Sequence, residues 1–238
     1  MNFARNNNGF SLTEVLLAVA TLTIGMTFVS GAFLAGVFIS TISSERTIAA
    51  VVADEAFAKI RLFGINPADP NLAADRLLAF EALNNIAIDE FAYPSTKISA
   101  TKQYYWSALC RAVGSGSTNR LVQVTVFVSR MTGGSQVTYP GGFSKPTPVQ
   151  VGVTTTANQR LTITETDKLS YINDGYTIVD DRTGRLYRVV QRSAQTPDTI
   201  DLDRYWQGNP AQRVWVIPPP LNSNNNPCVA VYQKVIRF

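Results

Sequence analysis

Residues 15–42 contain no Asp, Glu, Lys or Arg and are dominated by Leu, Val, Ile, Phe, Ala, Gly and Thr. A helix needs about 20 mainly apolar residues to cross a bilayer, and this stretch exceeds that. A helix that is apolar on all sides also demands an apolar surrounding, which is why this stretch constrains the fold more than any other feature. Glu14 stands directly in front of it. An unpaired acid costs about 2.5–3.5 kcal/mol at mid-bilayer and less near the edge, so its presence calls for a partner. Beyond residue 42, Ile48, Val51, Val52, Ala56, Phe57, Ile60 and Leu62 recur at roughly helical spacing. The pattern predicts one continuous helix, apolar in its first half and amphipathic in its second. It should end near Gly64, with Pro67 as a stop signal.

The remainder is polar and rich in Gly, Pro, Ser, Thr and Asn. The 238 residues suffice for a membrane segment and one sizeable or two small domains. The net charge of +4 is spread without a like-charge block, which argues against nucleic acid as a partner. The chain has no histidine, the commonest general base and metal ligand. No nucleophile has a base at suggestive spacing and no phosphate-cradling glycine loop occurs, so an enzyme is not expected and no cofactor is implied.

After the helix, residues 72–83 read as a short helical patch. The strings "KQYYWSALCRAV" and "RLVQVTVFVSRM" flank "GSGSTN" and read as a β-hairpin. In the second strand Val122, Val124, Val126 and Val128 share one face, expected to be buried. Gln123, Thr125, Phe127 and Ser129 share the other, expected to be more exposed. A Pro/Gly-rich loop follows. From about residue 154 to 218, short alternating strands at regular spacing suggest a small barrel or sandwich, SH3-like in rhythm. "CVAVYQKVIRF" reads as one last strand.

Gly9-Phe10-Ser11-Leu12-Thr13-Glu14, placed behind a short polar leader and ahead of the apolar run, resembles the class III signal of type IV pilins and type II secretion pseudopilins. In that family a prepilin peptidase on the cytoplasmic face cuts after the Gly and usually N-methylates the new first residue; the fifth mature residue is typically Glu. The resemblance implies cleavage between Gly9 and Phe10, and an assembly role for Phe10 and Glu14. The freed α-amine would be cationic at neutral pH, with a reference pKa of about 7.7–8.0. In the family the Glu is thought to meet the amine of a neighbouring subunit. Two departures stand out: the leader has a single basic residue, Arg5, and Gly31 occupies a position where major pilins often carry Pro.

The expected fold class is α+β, a long N-terminal transmembrane and amphipathic helix packed on an antiparallel sheet, with an additional small all-β module. The expected division is a leader over residues 1–9, the helix over 10–63, a pilin-like head over 64–153 and the β-rich module with the last strand over 154–238. The resemblance implies a low-copy structural subunit in the bacterial inner membrane, its head in the periplasm, that later enters a filament. Its partners would be other pilin or pseudopilin subunits, the prepilin peptidase and the membrane. Two alternatives stay open: an anchored binding protein with an uncleaved helix, and a DNA-uptake minor pilin.

Several other residues could carry sites. If the head is exported, Cys110 and Cys228 would form one disulfide; otherwise they are two unrelated thiols. Asp180 and Asp181 are weak metal candidates, since "DDRTG" is also good hairpin-turn chemistry. Asp201, Asp203 and Arg204 read as ion pairs on an exposed strand. Arg182, Arg185, Tyr187, Arg188 and Arg192 interleave charge with an aromatic ring, but acids alongside offset them; Arg185 and Arg188 are the weak nucleic-acid candidates. Trp106, Trp206 and Trp215 are either packing residues or binding platforms.

Overall fold

The computed structural model describes residues 11–84, 86–95, 102–114, 120–131, 137–208, 211–221 and 223–238. The chain forms two compact units that divide after Glu45. Helix α1 runs without interruption over Leu12–Phe63. In the first unit its side chains are exposed on every side, including Leu16, Phe28, Phe33 and Phe38. It is long and apolar enough to cross a membrane. At 1.5 Å per residue the uncharged stretch covers about 42 Å, more than the roughly 30 Å hydrocarbon core. Thr21, Thr23, Thr27 and Thr41 donate their hydroxyls to carbonyls three or four residues back at 2.8–3.0 Å. No water is needed to satisfy them, which suits a helix in lipid. These features make the N-terminal helix consistent with membrane anchoring.

In the second unit, the end of α1 buries Ala49, Val52, Ala53, Ala56, Phe57 and Ile60. The positions advance by three and four, and three of them are alanines that permit close approach. The stripe differs from the expected one at two places: Val51 is 49% and Leu62 81% exposed. The helix stops where Gly64 takes φ +76° and its N–H bonds to the Ile60 carbonyl at 3.0 Å, a glycine cap.

This stripe packs on an antiparallel sheet. Strands β1 (Leu78–Ala79) and β2 (Ala92–Tyr93) both pair with β3 (Tyr104–Ala112); β3 pairs with β4 (Leu121–Arg130) and β4 with β11 (Cys228–Arg237). The predicted hairpin is thus present as β3 and β4. The expected helical patch is mostly absent: helix α2 covers only Phe80–Leu83, and the chain before it makes turns and β1. Trp106, Ala108 and Cys110 of β3 and the four alternating valines of β4 meet the helix stripe in one core, with Phe80 and Phe91 beside Trp106.

A second module is inserted between the neighbouring strands β4 and β11. Strands β5 (Val149–Ala157), β6 (Arg160–Ile163), β7 (Thr177–Asp180), β8 (Leu186–Arg192), β9 (Thr199–Leu202) and β10 (Ala211–Val216) close a six-stranded barrel in the order β10-β5-β6-β9-β8-β7. The barrel starts five residues before the expected boundary, and β11 belongs to the first sheet. Alternate residues such as Val151, Val153, Ile178, Val189 and Val214 fill its interior. Described residues on the way in and out are joined: Leu221 N–H donates to Thr138 O at 3.1 Å, and Arg130 N–H, at the end of β4, donates to Pro227 O at 2.8 Å.

The barrel also overturns one expectation about β4. Its second face is buried, not exposed: Phe127, Thr125 and Ser129 are 1% exposed or less. Leu77, Leu109 and Phe127 form a core there with Val179 and Ile217 from the barrel side. Around it, Arg111 donates to the carbonyls of Ala74 and Arg182 at 3.1 and 3.0 Å and to Gln123 at 2.6 Å. Gln123 and Gln233 donate to the Gly184 carbonyl. A Cβ on Gly184, whose φ is +68°, would meet Gln123 at 2.9 Å. Only glycine fits both the backbone and the space there.

Candidate functional site

Gly9 and Phe10 lie outside the described residues. Glu14 does not. Ser11 is the residue before the first helical turn, and its N–H donates to Glu14 Oε2 at 3.2 Å. The Glu14 and Val15 amides bond to the Ser11 carbonyl. This is one arm of a capping box, spelled Ser11-Leu12-Thr13-Glu14. The spelling is readable in the sequence itself. Glu14 therefore has a local task in the helix start, whatever its wider role. A carboxylate there also suits the positive end of the helix dipole.

The β7–β8 connection accounts for Asp180. Its side chain is fully buried. It accepts the Arg182 amide at 3.1 Å, the Thr183 amide at 3.3 Å and the Thr183 hydroxyl. Asp181 turns the other way and accepts the Trp215 indole N–H at 2.6 Å, the Leu77 amide at 3.3 Å and Gln150 Nε2 at 3.4 Å. Both carboxylates are directed at hydrogen-bond donors, an arrangement for fixing backbone and indole. Among the described residues no three His, Cys, Asp or Glu side chains gather in a metal-holding group.

The arginines are dispersed. Tyr187 is 1% exposed and packs against Trp206 inside the barrel, the ring centroids 4.7 Å apart and the planes tilted by 40°, so the ring of that string is not open to a base. Arg192 donates to Pro197 O in the loop that follows it and to Asn173 Oδ1 in the segment before β7. Arg185 and Arg188 are exposed. Arg160 pairs with Asp201 at 2.7 Å and Arg204 with Asp203 at 3.0 Å. Burial alone would raise the Asp203 carboxyl, but the Arg188 amide and the Arg204 guanidinium outweigh it and hold it below the ordinary value.

The Cys110–Cys228 pairing is not formed: both are free thiols. Register explains why. Cys110 lies opposite Val124 and Cys228 opposite Ser129, on strands either side of β4. Five positions of strand are about 17 Å, far beyond the roughly 7 Å Cα limit of a disulfide. They also face opposite sides of the sheet, Cys110 toward the helix and Cys228 toward the barrel. Burial pushes the Cys110 thiol well up and the Cys228 thiol up to about 12.

Of the tryptophans, Trp106 and Trp206 are core residues. Trp215 lines a cleft of about 670 Å³ where the barrel meets the segment before β1. Outward positions of two paired strands build it: Arg213 and Trp215 alternate with buried Val214 and Val216 on β10, and Gln150 sits across from Trp215 on β5. The hydrogen-bond chain runs from Arg213 Nη1 to Gln150 Oε1 at 3.2 Å, and from Gln150 to Asp181. Sequence reasoning missed Gln150 and Arg213 because strand alternation marks outward residues without saying which meet a second module.

Comparison of the chain with known protein families, curated proteins and solved structures gives no match.

Proposed function

We propose that the chain is a minor pilin or pseudopilin-like subunit, cut after Gly9 and assembled through its N-terminal helix into a type IV pilus or type II secretion pseudopilus. The observation that carries this reading is the helix start: Ser11 and Glu14 cap a 52-residue helix directly behind Gly9-Phe10. Its first part is exposed and apolar, and its second part buries one stripe on an antiparallel sheet. The head then contacts partners outside the membrane. On this reading Glu14 is costly in lipid only while alone, and cleavage supplies a cationic partner in the Phe10 amine of a neighbour.

The cap allows a sharp experiment, because a capping box accepts Gln in place of Glu while the charge is lost. Mass spectrometry of membrane-expressed protein with a prepilin peptidase should find a mature start at Phe10 carrying one methyl group. Glu14→Gln should be cut normally yet stay out of filaments, and Glu14→Ala should lose both cap and assembly. A chain that keeps residues 1–9 in the presence of the peptidase would end the processed-subunit reading in favour of an anchored binding protein. Wild-type assembly by Glu14→Gln would reduce Glu14 to a cap.

A further inference from the structure

The cleft between barrel and sheet has the makings of a ligand site, and its chemistry is specific. Its charged lining is Arg76, Lys168, Arg213 and Asp181. Lys168 is already engaged, with Glu165 at 2.5 Å and the Gln150 carbonyl at 3.0 Å. Asp181 accepts from three neutral donors and so still offsets one positive charge of the lining. Arg76 and Arg213 are exposed and bond only to neutral oxygens, Asn71 O at 3.4 Å and Gln150 Oε1 at 3.2 Å. Neither has a carboxylate within ion-pair distance among the described residues, so the charge left over in the cleft is positive. Such guanidiniums favour a carboxylate, which they can bind in a two-pronged manner.

Much of the rest of the lining is apolar, with Leu77, Leu78, Pro140 and Val149 beside the two rings. Trp215 is fixed through its N–H on Asp181, Asp181 is fixed by the Leu77 amide, and Tyr171 and Pro148 are part of the same lining. A held ring beside aimed polar groups is already in its bound arrangement, which lowers the cost of binding. The bordering strands offer no long free edge: β5 pairs with β6 and β10, β10 pairs with β5 and β7, and β1, which pairs with β3 alone, is two residues long. An extended peptide read through its backbone needs such an edge. Recognition here falls to side chains alone: guanidinium, amide, phenol and indole.

The geometry points to an acidic saccharide as the occupant, its carboxylate on Arg213 and Arg76 and an apolar sugar face against Trp215 and Tyr171. The site lies wholly in residues 46–238 and stands whether or not the chain enters a filament. The test is calorimetric titration of the full chain in detergent micelles with tetragalacturonate, maltotetraose and hexaglutamate. Tetragalacturonate should bind and the other two should not. Arg213→Ala and Arg76→Ala, both exposed, should each weaken binding by about tenfold. Trp215→Phe should weaken it as well, and Arg185→Ala, away from the cleft, should leave it unchanged. Silence with tetragalacturonate, or wild-type binding by Arg213→Ala, would overturn the proposal. Equal binding of hexaglutamate would move the site to acidic peptides, and equal binding of maltotetraose would remove the role of charge; either result also defeats it.

Discussion

The two faces of the five-stranded sheet are both buried, but by different chemistry. The face under the helix is apolar, with the Trp106 indole N–H and the Cys110 thiol as its polar atoms: four valines, Trp106, Ala108 and Cys110 against a stripe of alanines, Val52, Phe57 and Ile60. The face under the barrel mixes Leu109 and Phe127 with Thr125, Ser129, Gln123, Gln233 and Arg111. The first face is held by area removed from water. The second is held by a small apolar centre and by hydrogen bonds that require the β7–β8 turn in one place. Non-directional burial tolerates repacking, whereas a polar junction fixes how the two parts meet.

Truncating the largest side chain on each face tests that contrast. Trp106→Ala removes a ring that touches Phe91 at 4.7 Å and donates to Glu90 O at 3.0 Å. It should cost about 3–5 kcal/mol, the usual loss for a buried aromatic. Phe127→Ala should fall in the same range, because the barrel covers it. On a solvent-facing sheet the same substitution would stay within about 0.5 kcal/mol. Denaturant unfolding in micelles reads both, and a near-neutral Phe127→Ala would mean that the barrel does not seal this face.

The same contrast decides what the sequence could disclose. The helix, its glycine stop, the β3–β4 hairpin, the valine face and the barrel's strand rhythm were all legible, because each follows from local period and turn chemistry. The second face was not. Gln123, Thr125 and Ser129 spell a solvent-facing strand, and only a module inserted after β4 turns them inward. The disulfide expectation failed for a related reason: cysteine count and export say nothing of register, and β4 stands between the two thiols. The cleft depends on three outward residues from β5 and β10 meeting a loop residue, Asp181, which no spacing within one strand encodes.

The next largest effect should come from the turn that reaches across to the sheet. Asp180→Ala strands two amides and a hydroxyl in a buried connection, at a cost of about 1–3 kcal/mol. Asp180→Asn keeps a carbonyl oxygen as acceptor and should lose less. If the two variants unfold at the same denaturant concentration, the acceptor role assigned to Asp180 is wrong.

The smallest effect, and the most selective, is the pH response of Asp181. Burial raises its carboxyl above the ordinary value; the Trp215 indole and the Leu77 amide pull it part of the way back, Asp180 adds to the rise and Arg213 opposes it. The folded protein therefore keeps this proton over a range where the unfolded chain, with an ordinary Asp near about 3.9, has released it. The native state binds more protons there, so this group's contribution to stability falls as pH climbs from the unfolded value through the folded one. Asp203 and Glu165, both held below their ordinary values, act in the opposite direction and mask it in the wild-type curve. Asp181→Asn keeps an oxygen for the Trp215 N–H and removes the titration. The stability of Asp181→Asn minus that of the wild type should therefore rise with pH across that range, with the shared carboxylates cancelling. A difference that falls instead would mean that the indole and amide bonds outweigh burial, leaving Asp181 a fully charged member of the junction.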